Sequence, residues 1–281
     1  VGIKRLPRSK KGKIGLALGG GAARGLAHIG VLEVLEKEGI PIDMIAGTSA
    51  GAAIGALYAQ GKHASQIKDL ALNMGWKQLV SLVDLALPRS GFIEGMRIKN
   101  LLKSIIGDIE FSDLRIPLAC VTTDIRSGEE VVISQGSVLE GVRASISIPV
   151  IFTAVKWQDR YLVDGGLINP VPVSTVREMG ADFIIAVNVI PDIGDRTQRP
   201  QEFKAPGIFH VMLQSIYIAT YSLVRSSLEG ADIVIEPQVT HIGYGDFHRV
   251  RDCISQGELA AQKLIPKIKK QVGKDIKQLW E

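Results

Sequence analysis

Two short apolar runs, "KIGLAL" at residues 13 to 18 and "MIAG" at 44 to 47, each end in a cluster of small residues and pass directly into a helical pattern. In the first, the helix within "ARGLAHIGVLEVLEKEG" carries Leu26, Ile29, Val31, Leu32 and Leu35 on one face and is stopped by Gly39 and Pro41. In the second, a helix follows the turn at Ser49, from about Ala50 to Gln60. Short β-type runs alternate with helical patterns over nearly the whole chain. That alternation predicts an α/β fold with a mostly parallel central sheet and helices on both faces.

Further strands are expected at 116 to 124, 129 to 134, 182 to 190 and in "ADIVIEP", with a hairpin in "KWQDRYLVDGG". Helices are expected at "SVLEGVRASIS", 173 to 179 and about 208 to 228. Residues 64 to 110 are less regular, with helical pieces at Ile67 to Leu72 and Met96 to Ile106, and read as a mobile cap. At the C-terminus Ile268, Val272, Ile276 and Leu279 share a helix face, with Pro266 in the first turn. The expected organisation is a basic tail (1 to 12), one catalytic domain (13 to 255), and a basic amphipathic helix (256 to 281) packed on or near it.

With 281 residues, 46% of them hydrophobic, the chain can bury a sizeable core. Cys120 and Cys253 are its two cysteines, so neither a disulfide framework nor a zinc site is suggested and a reducing, cytoplasmic setting is expected. The net charge of +4 is concentrated at the ends: residues 1 to 13 hold six basic residues and no acid, and residues 253 to 281 hold six lysines against three acids. Basic ends can touch anionic lipid at a membrane surface, although a short run of this kind is usually a solvated tail, and nucleic acid is not expected as a partner. No secretory leader is expected, since Gly19 to Gly21 interrupt the first apolar stretch.

Two uncharged windows, 44 to 61 and 205 to 224, are long enough to raise the question of a membrane span. The first is rich in glycine. The second carries His210, Gln214, Tyr217, Tyr221 and Arg225 as one polar stripe, so both read as buried parts of a globular core.

Three features carry chemistry. Gly47-Thr48-Ser49-Ala50-Gly51 is a Gly-x-Ser-x-Gly frame between strand and helix, where a strained turn thrusts the serine hydroxyl above the sheet. The competing reading is that Ser49 merely caps the helix. The loop "LALGGGAARGLAHIG" follows a strand and opens a helix, a place where backbone N–H groups hold an anion. It lacks the Gly-Lys-Ser/Thr of a P-loop, and Arg24 occupies the third glycine position of a dinucleotide fingerprint. Donors at Gly20, Gly21 and Ala22 suit the oxyanion of an acyl transfer, and a tight packing turn is the bland alternative. Asp164-Gly165-Gly166 follows the apolar end of a strand, where a carboxylate is either part of a common turn or a desolvated base. The five histidines stand in no motif that would orient them for proton transfer.

In order and spacing, the loop with Gly19, Arg24 and Gly25, the Gly47 to Gly51 elbow and Asp164-Gly165-Gly166 resemble the patatin-like phospholipases, especially compact bacterial members related to the catalytic domain of neuropathy target esterase. "IAGTSAGA" and "RASISIPVIFTAV" look like family blocks too. The resemblance covers about residues 13 to 190. It implies a three-layer sandwich and a lipid acyl hydrolase with Ser49 as nucleophile, Asp164 as proton acceptor and the glycine loop as oxyanion hole, with no metal or cofactor. It also implies that Arg24 orients the loop or a phosphate-bearing substrate. Ala22 stands where the family often has glycine, which strains the loop if that position needs a positive φ. Two other readings remain: an α/β-hydrolase whose triad adds His210, His241 or His248, and a non-catalytic binder of an anionic nucleotide.

Overall fold

The computed structural model describes residues 12–73, 91–190 and 207–278. Strands β1 (Ile14–Leu18), β2 (Met44–Thr48), β3 (Leu118–Asp124), β7 (Phe183–Val187) and β8 (Ile233–Ile235) run parallel in the order β8-β7-β1-β2-β3. Three antiparallel strands complete the sheet: β4 (Glu130–Ile133) and β6 (Arg160–Asp164) on β3, and β5 (Val155–Trp157) on β6. The expected mostly parallel α/β sheet is therefore present.

The register at β3 decides where the site lies. Cys120 pairs with Gly47 of β2 on one side and Ile133 of β4 on the other. Two residues on, Thr122 pairs with Asp164 of β6 and Val131 of β4. Strand β4 thus follows one edge of β3, while β2 and β6 share the other edge and meet end to end: Thr48 faces Val121 and Asp164 faces Thr122.

Alternation along the strands gives the sheet two unlike faces. Leu16, Leu18, Ile45, Ile185 and Val187 point to the larger core, covered by α1 (Ala27–Lys37) and α2 (Ala50–Ala59). Further out lie α3 (Ala64–Asn73), α4 (Gly91–Ile106) and α5 (Val138–Ser145). Ala17, Ala46, Ala119 and Ala186 make the opposite face shallow, so that the short α6 (Val173–Glu178) lies close on it through Val173 and Val176. Helices on both faces give the three-layer sandwich.

Two long helices follow, α7 (Ile208–Ser227) and α8 (Val250–Gln278). Helix α8 crosses α1 backbone to backbone: a Cβ on Gly30 would stand 2.0 Å from the Ile254 carbonyl oxygen, and one on Gly257 2.0 Å from that of Ala27. Pro266 sits inside α8 rather than in a first turn, a correction to the sequence reading. Its missing N–H leaves the carbonyl of exposed Gln262 to water, which makes the interior proline tolerable.

A second correction concerns α7. Gln214 and Tyr217 from its polar stripe line an internal cavity, while Ile208, Val211, Met212 and Ile218 on the opposite side are exposed. The helix is a wall of the molecule: Leu213, Ile216 and Val224 face inward with the polar residues, and these four large apolar side chains face outward. Residues 1–11 of the basic tail, residues 74–90 with the first part of the "LPRSGFIEG" stretch, residues 191–206 and Leu279 lie outside the described residues. No helix of the described residues is long and apolar enough to cross a membrane.

Candidate active site

Ser49 is the turn residue between β2 and α2, with φ 54° and ψ −119°, a positive-φ backbone costly for any residue with a Cβ. The turn is held by its own N–H, which donates to Ser145 Oγ at 2.8 Å, and Ser145 Oγ donates in turn to the Val121 carbonyl at 2.7 Å. Thr48 Oγ1 donates to the Asn169 carbonyl at 2.8 Å. The flanking glycines serve close approach: a Cβ on Gly47 would lie 2.5 Å from the backbone of Ala52, and one on Gly51 2.1 Å from the Leu18 carbonyl oxygen. The Ser49 side chain makes no capping bond, so the helix-cap reading fails.

Asp164 ends β6 and lies against Ser49, as the shared edge of β3 requires. Its N–H donates to the Ser147 carbonyl, and its Oδ1 accepts the Gly166 N–H at 2.8 Å. Gly165 allows the turn to press on β3, since a Cβ there would stand 2.3 Å from the Val121 carbonyl oxygen. Burial pushes the Asp164 carboxyl up to about 6, while the Ser49 hydroxyl and the Gly166 N–H pull part of that rise back.

The glycine loop reaches the same place, with Gly20 close to Ser49. Its donors divide, and this corrects the sequence reading at one position. The Gly20 N–H donates to the Pro170 carbonyl at 2.9 Å and is committed, as is that of Gly19 to Val187. Gly21 and Ala22 find no acceptor for their N–H groups among the described residues. Ala22 has φ 49°, so the alanine does occupy a left-handed position, at a cost of about 1 kcal/mol. Gly25 leans on α2, where a Cβ would meet that of Ala50 at 2.3 Å.

Arg24 is buried; its Nε donates to the Ile242 carbonyl at 2.6 Å and its guanidinium lies 3.9 Å from the centre of the Tyr244 ring. Tyr244 stacks on Tyr217 of α7 at 3.5 Å. The arginine thereby ties the loop to residues 242–244. His28 supports the loop from below, donating Nε2–H to the Gly19 carbonyl at 2.7 Å; burial holds its pKa at about 4, keeping it neutral.

The partners found for His28, His63 and His241 are not Ser49 or Asp164. His63 pairs with Glu36 and His241 with Asp252, and the His210 side chain lies outside the described residues. A cavity of about 970 Å³ opens on Ser49, aliphatic toward α2, α3 and α4 and polar toward Arg24, Tyr217, Thr240 and His241. Sequence reasoning missed Ser145, Pro170 and Tyr244. Ser145 lies within "RASISIPVIFTAV", but nothing local marks it as the acceptor for the Ser49 N–H.

A strained serine, a buried aspartate against it and a glycine loop on a three-layer α/β sandwich define a patatin-type fold. Residues 16–177 match the patatin-like phospholipase family, and the chain belongs to it. Human "patatin-like phospholipase domain-containing protein 6" is 38% identical over 194 residues, covering 66% of this chain and 14% of its own. An uncharacterized NTE family protein of Mycobacterium tuberculosis is 33% identical over 185 residues, 66% of this chain and 51% of its own. Lysophospholipase NTE1 of Pyricularia oryzae is 28% identical over 290 residues, 94% of this chain and 19% of its own. The chain thus spans about half the length of the mycobacterial relative and less of the others. In fold alone it is similar to VipD from Legionella pneumophila, with a TM-score of 0.53 at 14% identity over 92% of this chain and 67% of that one.

Proposed function

We propose that this chain is a lipid acyl hydrolase working through a Ser49–Asp164 dyad. The observation that carries the reading is the Ser49 hydroxyl lying against a buried carboxylate that titrates at about 6. Such a group is ionised at neutral pH and still basic enough to accept the serine proton. Asp164 takes that proton as Ser49 Oγ attacks the ester carbonyl. The N–H groups of Gly21 and Ala22, with no acceptor among the described residues, receive the oxyanion. Protonated Asp164 returns the proton to the departing alcohol, and the same carboxylate then activates the water that releases the acyl group. Neither half-reaction calls for a metal or a cofactor.

In this reading the substrate is a lipid ester, consistent with the mainly apolar cavity. Peripheral contact with a lipid surface goes with it, through the outward apolar side chains of α7 rather than the stripe of α8, whose Ile268 is buried. Ser49→Ala and Asp164→Asn are each expected to lower hydrolysis of a chromogenic fatty-acyl ester by roughly a thousandfold or more. A fluorophosphonate probe should label Ser49 in the parent protein alone. Retained turnover in either folded variant would overturn the dyad, and saturable nucleotide binding without labelling would favour the anion-binding alternative. A similar collapse on replacing His210, His241 or His248 would instead point to a triad.

A further inference from the structure

We propose that helix α2 is the ruler that sets acyl-chain length, with Ala53 as the near mark and Leu57 as the far one. The inference rests on the hydrolase reading above and names what the apolar end of the cavity takes: one extended acyl chain of medium to long length.

Three residues of α2 line the cavity after Ser49 and Ala50, namely Ala53, Ile54 and Leu57. Their spacing of four, five and eight residues from the serine keeps them on one side of the helix, leading away from the nucleophile. At about 1.5 Å of rise per residue, Ala53 lies about 6 Å and Leu57 about 12 Å along the axis from Ser49. An alkyl chain built of C–C bonds of about 1.5 Å advances about 1.25 Å per carbon when extended. The two marks therefore stand beside roughly the fifth and the tenth carbons of an acyl group attached at Ser49.

The opposite walls suit such a chain. Ile67 and Leu70 of α3 and Leu102 and Ile105 of α4 are aliphatic, while the polar lining is gathered toward Arg24, Tyr217 and Tyr244. An acyl chain gains by burial only at the aliphatic end, so the alcohol portion is left on the polar side of Ser49. Ala53, the smallest side chain on this path beyond the helix start, is what keeps the passage open.

The test is a chain-length profile with butyryl, octanoyl and palmitoyl esters of one chromogenic alcohol. In Ala53→Phe the kcat/KM ratio of octanoyl to butyryl ester should fall at least about tenfold, and palmitoyl to butyryl likewise. In Leu57→Trp the ratio of palmitoyl to octanoyl should fall by a similar factor while octanoyl to butyryl changes little. Thermal unfolding confirms that each variant is folded, and if Ala53→Phe does not fold, Leu57→Trp carries the test. Equal losses on all three esters, or an unchanged profile, would overturn the ruler while leaving the dyad intact. Turnover surviving Ser49→Ala would instead overturn the hydrolase reading itself.

Discussion

Asp164 is placed where a carboxylate is least comfortable, and the discomfort has two measurable consequences. Its folded pKa of about 6 lies above the ordinary 3.8, so burying the ionised form destabilises the native state at neutral pH. A shift of about two units corresponds to roughly 3 kcal/mol. The penalty is absent below about pH 4, where the group is protonated folded or unfolded, and grows until the pH passes 6. Asp164→Asn should therefore raise stability by up to about 3 kcal/mol at pH 8 and lose that advantage by pH 4, as read from denaturant melts at the two pH values. Under the proposed dyad, kcat/KM of the parent protein on a neutral ester should climb with pH through about 6 and level off, following ionisation of Asp164. His28 works in the other direction: with a folded pKa of about 4 against 6.5, its contribution is lost as the pH falls through that window, so the parent protein has no net acid stabilisation from the pair. At this scale the places of Ser49, Asp164, Gly21 and Ala22 were legible as candidate positions, because each sits in a local motif with a chemical reason for its residue type, and the fold brings them together. The commitment of Gly20 was not, because its acceptor is the Pro170 carbonyl, 150 residues away in the chain. The positive φ of Ser49 follows from the elbow motif, whereas its tie to Ser145 does not.

Among the elements, α7 departs furthest from what its sequence suggests. A polar stripe on an uncharged helix ordinarily marks the wet side. Here Gln214 and Tyr217 face the cavity that opens on Ser49, Tyr217 stacked on Tyr244, and Ile208, Val211, Met212 and Ile218 are turned out, with Ile208 78% and Ile218 50% exposed. Periodicity identifies two faces but not which one the fold covers, and the covering depends on a cavity that no local pattern announces. Under the proposed lipid hydrolase reading, these outward isoleucine, valine and methionine side chains, on the helix that walls the cavity, are the surface proposed to meet a bilayer. Replacing Met212 and Ile218 together by aspartate should lower the fraction of protein that sediments with phospholipid vesicles several-fold. Hydrolysis of a soluble butyryl ester should change far less, because neither side chain lines the cavity. Unchanged sedimentation would remove α7 as the contact surface.

For the whole molecule, the decisive fact is that β2 and β6 arrive at the same edge of β3 from opposite directions, bringing Ser49 against a residue 115 positions later. The alternation of strands and helices makes the parallel part of that sheet readable. The antiparallel return is not, since a hairpin pattern in β5 and β6 does not say which edge it joins. For α8 the sequence predicts an amphipathic helix from about residue 256 packed on or near the domain, without saying where it starts or what it packs against. It is continuous from Val250, and Ala261, Ile265 and Ile268 are buried beyond that point in the core that includes Val31 and Val34 of α1. Each fully buried isoleucine is worth about 1.5 to 3 kcal/mol, so removing residues 256–281 costs about 3 to 6 kcal/mol before the newly exposed face of α1 is counted. Against a total of about 5 to 15 kcal/mol, that is a large share of the fold. A chain ending at residue 255 should accordingly melt at least about 10 °C lower than the full chain, or fail to fold. Ile268→Asp in the full-length chain should shift the melting temperature the same way, because it places a charge in the same buried contact. A truncated chain that melts with the parent would show that the catalytic domain ends near 255 and that the terminal helix only rests on it.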